Sequence, residues 1–159
     1  MSYETMEDGA LTVIRLLSNY STTNSSTGDY RVLNQGIRRA VIFEPGSILN
    51  REHHAYPRVI STNWEILISL HINWGGSPLE AGNRIRTDRQ EIIDHFDKYP
   101  TLNGVTGCIS SFIVGSRQPE MWGGENNTWW RQEIVMQVNE HASCAIGDRE
   151  VAWSLLMLY

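Results

Sequence analysis

Five histidines, His53, His54, His71, His95 and His141, are the residues here whose chemistry is most versatile. Imidazole ligates metals and moves protons near neutral pH. Their spacing does not match a known zinc arrangement: there is no HExxH pair, and neither cysteine stands at finger spacing from them. A metal site at His53-His54 would draw on distant partners such as His71 or His141. The simpler reading of His53-His54, after Glu52, is a solvated loop. Glu91 and His95 stand four apart, which reads as a surface pair on a helix.

Nucleophile and phosphate signatures are absent. The sequence has neither a G-x-S-x-G elbow nor a G-x-x-x-x-G-K loop. Cys108 has no cationic neighbour in sequence to lower its pKa, so it reads as a buried, inert thiol. Two cysteines, Cys108 and Cys144, are too few for a disulfide scaffold and do not form a CxxC. No catalytic residue, cofactor or metal site is expected.

The charge balance narrows the partners. Thirteen Lys and Arg against eighteen Asp and Glu give a formal charge of −5. An acidic domain is a poor wrapper of nucleic acid, because neutralising phosphates supplies most non-specific affinity. Arginines cluster only at Arg38-Arg39 and around Arg84, Arg86 and Arg89, where Asp88 and Glu91 offset them. Met1–Thr5 lacks an apolar run, so no signal peptide is expected. The longest apolar alternation, Trp64–Trp74, contains Glu65, His71 and Asn73, so no membrane span is expected. The 159 residues suit one domain able to bury a core unaided.

The elements that must hold these residues follow from periodicity. Met6, Ala10, Val13, Ile14 and Leu17 share one helical face and predict a helix over 3–19. Tyr20–Asp29, rich in Ser, Thr and Asn, reads as a polar loop. Arg39–Phe43 reads as a short strand ended by a Glu44-Pro45-Gly46 turn, with a polar stretch running on to Tyr56. Trp64, Ile66, Ile68, Leu70, Ile72 and Trp74 alternate with more polar neighbours, which predicts a half-buried strand. Two helix starts compete, at Ser77-Pro78 and at Thr87, and the second is preferred; Tyr99-Pro100 ends that helix. Val105–Val114 and Trp129–His141 predict two further strands, joined by a long connection over 115–128. The tail Val151–Tyr159 is apolar and fits either strand or helix.

The expected architecture is therefore a single α+β domain over 1–159. It is a two-layer sandwich, with a mainly antiparallel four-stranded sheet and two helices on one face. Polar loops are expected at about 20–30 and 44–57, and an apolar tail at 151–159. Trp64, Trp74 and Trp130 fall on apolar strand faces and read as core. Trp122, Trp129 and Trp153 do not, and with Leu156 and Tyr159 they are the candidate subunit or partner interface.

The run Thr87–Gly104 (TDRQEIIDHFDKYPTLNG) and the strand Trp129–Val138 (WWRQEIVMQV) resemble segments of tail terminator, or tail completion, proteins of long-tailed bacteriophages of the siphovirus type. The order of helices and strands is also similar over about residues 3–141. The polar insertions at 20–30 and 44–57 and the apolar tail depart from that pattern. The resemblance implies a structural virion protein that assembles in the host cytoplasm and resides in the neck. There a hexameric ring would end the tail tube and join it to the head-completion or connector protein. DNA would pass through the lumen without specific binding. Two other readings are a small metal-dependent hydrolase using the loop histidines His53 and His54, and another ring-forming neck or tail subunit.

Overall fold

The computed structural model describes residues 3–33, 36–55, 58–73, 78–124 and 127–143. Its elements are helix α1 (Tyr3–Ile14), strand β1 (Ser25–Thr27), a 3-10 turn (Tyr30–Val32), β2 (Arg39–His54), β3 (Val59–Asn73), α2 (Pro78–Asp97), β4 (Cys108–Ser116), β5 (Glu120–Gly124) and β6 (Asn127–Ser143). The class is α+β. The sheet differs from expectation: among the described residues it has six strands in the order β1-β2-β3-β6-β4, with β5 also on β6, and it is mixed because β1 runs parallel to β2. Ser25–Thr27 lies within the expected loop yet pairs with Val41–Phe43, and β5 lies within the expected 115–128 connection.

Alternation sets the two faces. Ile66, Ile68, Leu70 and Ile72 of β3 share one face with Val41 and Phe43 of β2 and with Ile134, Met136 and Val138 of β6. These side chains join Met6, Ala10, Val13 and Ile14 of α1 and Ala81, Ile85, Ile92 and Phe96 of α2 in one buried cluster. Their burial supplies the main driving force for folding, at about 25 cal/mol per Å² of apolar area.

The expected turn at Glu44-Pro45-Gly46 is instead the middle of a 16-residue strand. The ladder shifts register between Glu44 and Ser47 and again between Ile48 and Asn50, and Pro45 sits at the first shift, where its missing N–H is tolerated. Gly46 is required there, because a Cβ would lie 1.7 Å from the Glu65 carbonyl oxygen. The stretch read as a polar loop at 44–57 is thus largely the outer half of a hairpin arm in which His54 faces Val59.

The helices also differ in extent. α1 ends at Ile14, where i to i+3 bonds from Leu16 and Leu17 tighten the chain. α2 starts at the earlier of the two signals and runs unbroken through Thr87, whose hydroxyl bonds the Asn83 carbonyl. Ala81, Ile85, Asp88, Ile92 and Phe96 form its buried stripe. Asp88 is accommodated by the Tyr20 hydroxyl at 3.2 Å and by Arg39 at 3.4 Å.

Candidate functional site

The sheet face away from the helices was expected to be mostly polar and solvated. It carries buried side chains, among them Ala40, Ile42, Ser69, His71 and Trp129. At its centre, β6 alternation places Arg131 beside His71 of β3. Arg131 Nη2 lies 2.8 and 2.7 Å from the two oxygens of Glu44 on β2, and its Nη1 lies 2.8 Å from Glu120 of β5. Glu133, also on this face, is 3.8 Å from Arg131 and 3.4 Å from Arg117. The Tyr30 hydroxyl donates to Glu44 and ties the 3-10 turn to the same cluster. One guanidinium thereby joins β2, β5 and β6, and through Glu44 the 3-10 turn.

The electrostatics follow from this geometry. Burial opposes ionisation of Glu44, but hydrogen bonds from Arg131 and Tyr30 outweigh it and lower its pKa. Burial and then the Glu44 carboxylate raise the Tyr30 hydroxyl to about 12. His71 is pushed down to about 4, first by burial and then by the Arg131 charge, so it is neutral at pH 7. Its Nε2 is 2.9 Å from Ser69 Oγ, and its ring meets Tyr30 and Trp129 edge-on at centroid distances of 6.1 and 6.4 Å. The cluster is a lock of mutually satisfied charges.

The candidate interface residues separate. Trp129 is fully buried against His71 and so is not a surface anchor of this chain. In sequence it alternates in step with Arg131 and Glu133, which predicts a mostly polar strand face. Trp122 faces Trp129 across the β5–β6 ladder, and its side chain lies outside the described residues. Trp153, Leu156 and Tyr159 also lie outside them. Trp64 and Trp130 pack against the core, while Trp74 lies outside the description.

No protein-family model and no curated protein matches this chain.

The histidines are not gathered in one cluster among the described residues: His141 stands opposite Ser61 of β3, whose other neighbour is Glu52 of β2. His53 and His54 are exposed at the end of the arm, His71 is in the lock, and His95 contacts the Val13 carbonyl at 2.7 Å rather than pairing with Glu91. Glu91 instead accepts from Asn19 at 3.3 Å. Among the described residues, no three His, Cys, Asp or Glu side chains are grouped as metal ligands. Cys108 is buried, and burial followed by Glu140 raises its thiol to about 11, as expected of an inert cysteine. Among the described residues, no helix is long and apolar enough to cross a membrane.

What is open to partners is the sheet's margin. Among the described residues β4 is the terminal strand, and none of its nine residues is charged. Ile109, Phe112 and Val114 on it are 51%, 47% and 51% exposed. Natural edge strands are blunted by Lys, Pro or bulges, and β4 has bulges only, at Cys108/Ser110 and Ile113/Gly115. Ser111 N–H is capped by the Pro100 carbonyl at 2.6 Å, which leaves the stretch from Phe112 onward. On the opposite margin, Ser47–His54 of β2 are all exposed and extend beyond the reach of β1. The sequence signal for β4 was its β-branched run; nothing local marked it as an edge.

Proposed function

We propose that this chain is a structural subunit of the tail-terminator type. In this reading a hexameric ring of a phage virion ends the tail tube and meets the head-completion protein or connector. The observation that carries it is the uncharged β4 margin with exposed Ile109, Phe112 and Val114, set opposite a quite different margin on the β2 arm. Two unlike patches on one subunit favour head-to-tail contacts, and such contacts close into a ring when the rotation permits. The helices backing one sheet face form the second layer of a two-layer sandwich that would keep both margins rigid. Trp122, Trp153, Leu156 and Tyr159 remain candidate contacts to neighbours. The acidic balance of −5 suits a lumen past which DNA slides without sticking. The role needs no cofactor and no catalysis.

The test is mass and shape. Size-exclusion chromatography with light scattering, alone and with tube protein, is expected to give a hexamer mass, and negative-stain microscopy a ring. A strictly monomeric chain under both conditions would overturn the reading. The hydrolase reading gains no support from the dispersed histidines, and its assay is bound zinc by elemental analysis.

A further inference from the structure

The two helices divide the cover of the sheet. α1 is tied to the β1–β2 side, where the Tyr3 hydroxyl accepts from the Gly46 N–H and Arg15 donates to Ser25. α2 lies over β3, β4 and β6, and the Pro100 carbonyl just beyond it holds Ser111 of β4. Glu91 and His95 of α2 meet Asn19 and Val13, so that flank faces α1. At about 3.6 residues per turn, Arg86, Arg89 and Ile93 fall on the opposite flank, toward the β4 margin. Arg86 is exposed, with the Asn83 side chain at 3.1 Å, and Arg89 is half-buried. Neither arginine has an ion pair among the described residues.

The α1 side carries the matching feature. At the end of β1 a cavity of about 340 Å³ is walled by Tyr3, Phe43 and Pro45, and among the described residues Glu7 is its one charged lining residue. Burial raises the Glu7 pKa, the Tyr3 hydroxyl opposes this, and Asp8 and Glu4 raise it further. The helix dipole accounts for Glu4 in the first turn of α1, but its effect fades before Glu7. A carboxylate set in an apolar wall within an acidic neighbourhood suits a cation with a long apolar stem. Arginine is such a cation: its stem packs, and its guanidinium forks onto a carboxylate and stacks on aromatic rings. Lys98 is the only lysine, so the other twelve of the thirteen basic residues are arginines. Arginine is enriched at protein contacts and lysine depleted.

We infer that, in the head-to-tail ring contact, the cavity at Tyr3, Glu7 and Phe43 takes an arginine from the Arg86–Arg89 flank of a second copy. The inference rests on the ring reading and adds the electrostatic part of its contact. The acidic α1 corner lies on the β2 side of the subunit and the basic α2 flank on the β4 side. One rotation therefore brings both pairs of surfaces together.

Charge exchange tests it. Light scattering over a series of concentrations, with and without tube protein, compares the wild-type chain, Glu7→Arg, Arg86→Glu with Arg89→Glu, and an equal mixture of these two variants. In either variant alone like charges face each other, and each is expected to need roughly tenfold more protein, or more, to assemble. In the mixture an alternating ring pairs opposite charges at every contact, and assembly is expected to return. Glu7→Gln keeps the size of the side chain and should raise the assembly concentration by less than Glu7→Arg does. Denaturation midpoints show which variants are folded, and Glu7→Gln carries the test if Glu7→Arg is not. Folded variants that assemble as the wild type does overturn the inference and leave the ring standing. A mixture of folded variants that stays dissociated overturns it as well. A wild-type chain that is monomeric under both conditions removes the ring itself, and this contact with it.

Discussion

Arg131 and Glu44 are 87 residues apart, yet one guanidinium nitrogen lies within 2.8 Å of both Glu44 oxygens. Their side chains are only 18% and 15% exposed, so each compensates much of the other's charge where little water reaches. Removing one partner of such a pair costs more than the pair contributes, because the remaining charge is stranded. Arg131→Leu is expected to destabilise the fold by about 3 kcal/mol, the low end for a buried pair. Urea denaturation checks this, and the double variant with Glu44→Leu should recover part of the loss.

His71 makes stability depend on pH above the carboxylate range. Its pKa is about 4 in the folded state against 6.5 ordinarily, so the unfolded chain binds the extra proton first. Stability is complete above pH 6.5, falls as the pH drops towards 4, and levels below that. The interval corresponds to about 3 kcal/mol at most. Glu44, whose folded pKa is lowered, adds a further loss at pH values below its ordinary 4.5. Denaturation midpoints at pH 7, 5.5 and 4.5 should show the first slope, and His71→Gln should flatten it.

Gly46→Ala tests the arm. A methyl group there meets the Glu65 carbonyl oxygen, which is backbone and cannot swing aside. The expected cost is about 2–3 kcal/mol, the upper range for overpacking. Exchange should rise across the β2–β3 arm more than in α2.

The β4 margin should tolerate charge in the monomer and not in an assembly. Phe112→Lys with Val114→Lys alters two half-exposed side chains, so monomer stability should shift by less than about 0.5 kcal/mol per site. Light scattering should show the ring lost. A hexamer mass retained by this variant would remove β4 from the subunit contact.

The helices and the β3 and β6 strands were legible because burial writes its period into the sequence: Ile66 to Ile72 and Met6 to Ile14 repeat at two and at 3.6 residues. The arm was not, since Pro45 and Gly46 signal a turn locally and only pairing with Glu65 and Leu67 turns them into a register shift. Trp129 was misread for the same reason. Arg131 and Glu133 on the same strand face look wet in sequence, yet Tyr30 of the 3-10 turn reaches over to Glu44 and His71 and helps to cover that face. The Arg131 lock joins residues from positions 30 to 133, a separation that no local pattern reports.

β6 is the last described strand, yet it lies inside the sheet, with β3 on one side and β4 and β5 on the other. Ile134, Met136 and Val138 on it complete the core. A nascent chain that has emerged only as far as α2 therefore holds β3 with one side unsatisfied and a core open along its length. Folding must wait for β6 to emerge and then close large loops, which is slow compared with helical assembly. Until then β3 is the segment most in need of protection from other chains.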